Sequence, residues 1–428
     1  MAQGGLSVDS SNPVHGKQEN PRFPGFLAGG SSGGEGIALS LCVSPIGVGT
    51  DLGGSIRFPA AFNGVMGLKP TYPRLSTRGH VSISEHLPLI LRIVIGPMGR
   101  SVEDLADFMR AVLCDFLFTL DPEVVPLKFN EEWYSTKKLR VGYYANFDEP
   151  SLPQTVPSVR RGVRLAVDNL RLLGHEVREF KIPDLYNGIR LALSCLFADG
   201  GKAMSIAYQN EILDESNKEM GDILKVSKCV RRLVGGTTLK KFGDFIGSLN
   251  EEINGFTSYS KSSHACFLVE NFKTKFLEAM EDLDVIICPL YPVPIPKKKT
   301  EPLLNNIGTI YALLYNILNF PAGVIPVGKT TQDDIKKAKE AKLPFEKSND
   351  ALNIAFHDTQ DTVGQPLCVQ VVGKPFREEY VLCAMKCLEM KSEYKLEMPE
   401  KLENSQAMPA CGMPEKSLIV HEFYESQI

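Results

Sequence analysis

Between Gly29 and Ser55, nine of 27 residues are glycine. Ordering glycine costs more conformational entropy than ordering any other residue, so a folded chain keeps this density where backbone must approach something closely. Two motifs lie in the block, "GGSSGGEG" from Gly29 to Gly36 and "GTDLGGSIRFP" from Gly49 to Pro59. In the second, a tight turn through Leu52, Gly53, Gly54 and Ser55 can aim several backbone N–H groups at one point. Such a cluster stabilises the tetrahedral oxyanion of acyl transfer, and losing one donor typically costs about 2.7–4 kcal/mol. Ser55, at the end of the turn, is placed to be the nucleophile.

Other readings of the block compete. "GGSSGG" matches the nucleophile elbow GxSxG with Ser31 or Ser32 at its centre, which would make the chain a different kind of α/β-hydrolase. An elbow follows a buried strand, however, and Pro24 and Gly25 break "RFPGFLA". "GVGTDLG" resembles a dinucleotide fingerprint, but Pro45 interrupts the strand that should lead into it. His15, His80, His86, His175, His264, His357 and His421 form no metal pattern, and no cysteine pair has zinc spacing. No metal or other cofactor is therefore expected. A Ser-His-Asp triad stays open, while the usual alternative base is a lysine whose pKa falls on burial.

The net charge of −4 gives no reason to expect a nucleic-acid partner. Ten scattered cysteines suggest a reducing compartment without a disulfide framework. The most apolar stretch, "HLPLILRIVIGPMG", is too short to span a bilayer and contains Arg92. Residues 1–28 are polar, rich in Pro and Gly and without signal-peptide regions, and read as an irregular leader.

Beyond the glycine block the chain alternates. Helical spacing runs from Val102 behind Ser101 as N-cap, and from Val156 to Gly174, with strands at Leu139–Tyr144 and after Gly174. A further helix precedes the apolar run Val285–Cys288. Another helix stops before Pro321 and is followed by a strand, "QPLCVQVVG" is a strand, and "REEYVLCAMKCLEM" is a closing helix. This pattern predicts an α/β fold around a buried mixed sheet. Residues 392–428 read as a polar, disordered tail. In 224–250, six basic residues interleave with apolar ones about Gly235 and Gly236, a pattern shared by membrane-surface hairpins and by ordinary surface helices.

"GGSSGGEG", "GVGTDLGGSIRFPAAFNGVMGLKPT" and "GPMGRSVEDLA" resemble the amidase signature family, and within it the fatty-acid amide hydrolases. The likeness covers most of residues 29–391. It implies a single domain with a large twisted mixed sheet flanked by helices, and hydrolysis of lipid amides. By motif, Ser55 falls on the nucleophile and Ser31 on the serine that relays its proton to a lysine. Leu52, Gly53, Gly54 and Ser55 fall on the oxyanion hole, and Thr50, Phe197 and Leu313 on substrate-contacting positions. The 224–250 segment falls where the family's lipid-amide hydrolases bind a membrane. The resemblance thus implies a place on the cytoplasmic face of intracellular membranes or in the cytoplasm, and it leaves room for a homodimer. Because residues 1–28 resemble neither the family's first strands nor its lysine segment, the expectation is an N-terminally shortened relative. It would be weakly active or inactive, or a non-catalytic protein that binds lipid amides or a partner.

Overall fold

The computed structural model describes residues 1–397 apart from 6, 81–90, 210, 215, 219–220, 223–254, 257, 301 and 341–360. The basic segment at 224–250 and the tail beyond 397 lie outside the described residues, and those up to Leu396 belong to one unit.

Eight strands form its sheet. In chain order they are β3 (Ile46–Asp51), β4 (Met66–Lys69), β5 (Val94–Gly99), β6 (Arg140–Tyr143), β7 (Glu176–Glu179), β8 (Val285–Cys288), β9 (Ala322–Lys329) and β10 (Pro366–Gly373). β1 (Ser11–Asn12) and β2 (Gly16–Lys17) make a separate small hairpin in the leader. The sheet order is β3-β5-β4-β9-β10-β8-β6-β7. Pairing is antiparallel from β3 across to β8 and parallel for β8-β6-β7, so the sheet is mixed as expected.

Side chains alternate across this sheet and divide the core in two. Ile286, Cys288, Ala322, Val324 and Val372 face one cluster. Val285, Ile287, Ile325, Val327, Val369 and Val371 face the other. The first is closed by the helices Arg57–Phe62, Leu185–Leu196, Tyr259–Ala279 and Ile310–Ile317. The second is closed by Val102–Val112, Pro157–Leu172 and Glu378–Lys391. The helix at Val102 begins with a capping box: Ser101 Oγ accepts from Asp104 N at 3.1 Å, and Asp104 Oδ2 accepts from Ser101 N at 2.9 Å. No described helix is long and apolar enough to cross a membrane.

The leader corrects an expectation. Although polar, it is packed into the unit, with Val8, Phe26 and Leu27 in the first core. Its polar groups find partners inside: Asn20 Nδ2 donates to Phe62 O at 2.7 Å, and Leu27 N to Pro296 O at 3.0 Å. Asp9 is fully buried, 2.6 Å from Lys17 Nζ, and also accepts from Ser216 Oγ and Asn305 Nδ2. Burial raises the Asp9 pKa and Lys17 opposes the rise. Composition hides this segment because its contribution to packing is mostly polar. Lys17→Met leaves Asp9 without its cation and is expected to lower the unfolding free energy by about 3 kcal/mol in urea titrations. A change below about 0.5 kcal/mol, the size of an ordinary surface substitution, would make the leader peripheral after all.

Candidate active site

β3 carries Asp51 at its end, paired with Val94, and hands the chain directly to the turn Leu52–Ser55. The helix Arg57–Phe62 follows after Ile56 as its N-cap, so Asp51 and Arg57 flank the turn on two rigid elements. Gly54 sits at φ 122°, a backbone region closed to other residues, and a Cβ there would lie 2.1 Å from the Phe58 ring. This glycine is required on both counts.

The turn is held from inside by one ion pair. Asp51 and Arg57 are fully buried and meet at 2.9 Å. All five guanidinium N–H groups are engaged: Nε with Asp51 Oδ2, Nη2 with Asp51 Oδ1 and Asn316 Oδ1, and Nη1 with Ala312 O and Gln370 Oε1. Asn316 closes the ring by donating Nδ2 to Asp51 Oδ1 at 2.8 Å. The Asp51 carboxylate also accepts from Gly54 N at 2.7 Å and Ile56 N at 3.2 Å. Burial alone would raise the Asp51 pKa, but Arg57, Lys69 and Asn316 outweigh it and bring it down to about 2. Because the Gly54 N–H is spent on Asp51, the oxyanion reading rests on the N–H groups of Leu52, Gly53 and Ser55.

The companion loop is seated on this turn. Ser32 N donates to Ser55 O at 3.2 Å, and Ser32 Oγ lies 3.3 Å from Thr50 N and 3.5 Å from Thr50 O. Ser31 is 2% exposed, while Ser55 is half-buried. The leader backs the loop so closely that a Cβ on Gly30 would meet Ser7 O at 2.4 Å. Ser32, an elbow candidate by sequence, therefore acts as the staple between the two motifs, and no strand leads into Ser31 as an elbow requires. Leu313 is fully buried and faces the turn, 3.4 Å from where a Gly53 Cβ would stand. Phe197 is half-buried at the end of the helix Leu185–Leu196, and no described contact joins it to the turn.

Lys17 and Lys69, the lysines nearest in sequence to the two serine motifs, are hydrogen-bonded elsewhere. Lys17 serves Asp9 and donates to Lys298 O at 2.9 Å. Lys69 is fully buried and donates to Pro70 O at 3.0 Å; burial, reinforced by Arg57, pushes its pKa down to about 7. His175 accepts from Leu139 N at 3.1 Å, His15 and His264 are exposed, and His86, His357 and His421 lie outside the described residues. Among the described residues, no three His, Cys, Asp or Glu side chains are grouped to hold a metal ion.

With this geometry the comparisons are decisive. A family profile described as Amidase matches residues 1–382. The chain belongs to the amidase signature family. The match includes the leader, which sequence reading had set outside the domain. Fatty-acid amide hydrolase 1 of Sus scrofa is 34% identical over 394 residues, 91% of this chain and 66% of the relative. Fatty acid amide hydrolase 1 of Caenorhabditis elegans is 33% identical over 90% of this chain and 66% of the relative. A solved fatty acid amide hydrolase superposes with a TM-score of 0.73 at 24% identity, covering 92% of this chain and 64% of that one. The chain thus spans just under two thirds of the relatives it matches.

Asn316 and Gln370 were missed as site residues. The available signal was a single amide inside an otherwise apolar run, in "ALLYNIL" and "LCVQVV". Asn316→Leu leaves two charged groups short of a partner and is expected to lower stability by about 2 kcal/mol, read by urea unfolding. Lys69 gives a pH signature. Between its folded pKa and the ordinary lysine value the unfolded chain binds a proton that the folded chain does not, so stability rises with pH. From pH 7 to 8.5 the wild type is expected to gain about 2 kcal/mol over Lys69→Met. Parallel pH profiles for the two proteins would refute the assignment.

Proposed function

We propose that this chain carries the nucleophilic centre of a serine hydrolase acting on fatty-acid amides and N-acylethanolamines. Ser55 Oγ attacks the amide carbonyl, and the N–H groups of Leu52, Gly53 and Ser55 hold the oxyanion. Ser31 accepts the Ser55 proton while passing its own to a base, and the relay later runs in reverse to protonate the leaving amine, giving an acyl-serine that water hydrolyses. The observation that carries this reading is the seating of the Ser31 loop on the Ser55 turn through the 3.2 Å bond from Ser32 N to Ser55 O. A lipid acyl chain suits the apolar surroundings of the turn, where Leu313 and the Phe58, Phe62 and Tyr291 rings are buried. The relatives named as fatty-acid amide hydrolases support the same substrate class. Residues 224–250 would bring the site to an anionic membrane surface.

The relay needs a final proton acceptor. Among the described residues Lys17 and Lys69 are engaged away from Ser31, so turnover by these 428 residues alone is expected to be slow. A general base typically contributes about 10²–10⁴-fold, and oleamide hydrolysis is expected to fall short of a longer relative by at least that range's lower end. The same occupancy of both lysines favours a second reading, a non-catalytic lipid-amide binder. A fluorophosphonate probe separates the two. Labelling that disappears in Ser55→Ala supports the hydrolase, whereas an unlabelled wild type that still binds oleamide supports the binder. Labelling lost in Ser31→Ala or Ser32→Ala but kept in Ser55→Ala would overturn the assignment of the nucleophile.

A further inference from the structure

Three buried charges lie where the closing helix Glu378–Lys391 meets the loop after β4, and the amidase chemistry uses none of them. Arg74 is 1% exposed, and Glu378 and Glu379 are fully buried. Arg74 Nη2 meets Glu379 Oε1 at 2.8 Å, while Arg74 Nε stands 3.4 Å from Glu378 Oε2. Backbone donors fix both carboxyl groups. Thr71 N donates to Glu378 Oε1 at 2.8 Å, and Asn130 N to Glu379 Oε1 at 3.1 Å. Thr71 also holds the entrance to the helix, its Oγ1 accepting from Phe376 N at 2.9 Å. The loop after β4 and the segment before the helix Glu131–Tyr134 are thus both tied to these two carboxyl groups.

The charges do not balance, since two carboxylates on one guanidinium leave one negative charge in a fully buried place. A group buried with an uncompensated charge neutralises instead. Arg74 and the helix N-terminus favour a carboxylate here, whereas burial and the repulsion between the neighbours oppose a second one. The two carboxyl groups are not equivalent. Glu378 feels Lys69 of β4 as well as Arg74. Glu379 has Arg74 as its cation, and its Oε2 accepts no hydrogen bond among the described residues. Burial and the Glu378 charge raise the Glu379 pKa against the pull of Arg74. Other charges on the elements packed against this helix are committed elsewhere. Glu103 pairs with Arg110 and Lys386, Glu131 with Arg110, and Arg161 with Asp334, while Arg377 lies over the Trp133 ring.

We propose that Arg74, Glu378 and Glu379 form a pH-sensitive clamp, which holds one proton on Glu379 at neutral pH and loosens the start of the closing helix when that proton leaves. With the proton the triad is neutral. Its loss to solvent leaves a second buried carboxylate on a guanidinium that Glu378 already shares. The sign of the pH dependence follows. Folded Glu379 keeps its proton where an unfolded glutamate, with a pKa of about 4.3, has lost it. The folded state then binds more protons, so this stability is full below the unfolded value and is lost as pH rises through the folded one. Lys69 acts in the opposite sense and in a separate window, above its folded pKa of about 7.

Infrared difference spectra of the whole protein test for the proton directly. At neutral pH the wild type is expected to show the C=O stretch of a buried carboxylic acid, which fades as the pH is raised. Glu379→Gln should lose this band because the acid is gone, and Glu378→Gln because Arg74 then faces a single carboxylate. In urea titrations from about pH 5 to 6.5, the folding constant of the wild type relative to Glu379→Gln is expected to fall about tenfold per pH unit. Once Glu379 has titrated, amide exchange at Thr71 and Asn130 should run faster in the wild type than in Glu379→Gln. A wild type without the acid band, or parallel stability profiles, overturns the stored proton. A band that survives in Glu379→Gln and vanishes only in Glu378→Gln overturns its placement. Equal exchange at Thr71 and Asn130 after the titration overturns the clamp.

Discussion

The buried pair of Asp51 and Arg57 is the interaction on which the rest of the site depends. Removing two charges from water costs several kcal/mol per ion, and their attraction offsets this only when the remaining donors and acceptors are also satisfied. Here they are. The guanidinium uses all five N–H groups, and the carboxylate accepts from Arg57, Asn316, Gly54 and Ile56. The partners come from β3 and the helix Arg57–Phe62 on one side and, more than 250 residues further along the chain, from the helix Ile310–Ile317 and β10. One pair therefore joins both ends of the domain at the turn that carries Ser55. Its worth is positional: the turn Leu52–Ser55 is held between two rigid elements.

The sheet divides the core into two clusters that touch different parts of the chain. Alternation along β8, β9 and β10 sends neighbouring residues to opposite clusters. Leu52, Ile56 and Phe58 belong to one cluster, and Cys383, His175's neighbour Leu170 and Leu388 to the other or its rim.

Legibility in the sequence followed side-chain chemistry. β6, β8 and β10 and the helices at Val102, Pro157 and Glu378 were readable because their apolar periodicity is undiluted. β3, β4 and β5 were not: "IGVGTD", "MGLK" and "VIGPMG" mix glycine and proline into strands that propensity alone would reject. Close packing supplies the reason, since a Cβ on Gly96 would strike Leu68 O at 2.1 Å and one on Gly67 would meet Ile56 at 2.8 Å. The motif around Ser55 was visible from the spacing of its glycines. Asn316 and Gln370 were not, because a partner more than 250 residues away leaves no local pattern. The leader escaped for a related reason, its Asp9–Lys17 pair looking like solvated surface until Ser216 and Asn305 are seen to enclose it.

What the turn can do without a neighbouring base follows from separating two contributions. Oxyanion stabilisation acts on charge that develops on the substrate and needs only fixed N–H groups, which the Asp51–Arg57 pair secures. Nucleophile activation acts on the Ser55 proton and needs an acceptor at the end of the relay. Lys69 illustrates why a lowered pKa does not by itself make a base. Burial brings it down to about 7, well suited to proton transfer, yet its Nζ is committed to Pro70 O. Geometry decides before acidity does. On the reading proposed above, the rate that the turn reaches is set by whatever group meets Ser31.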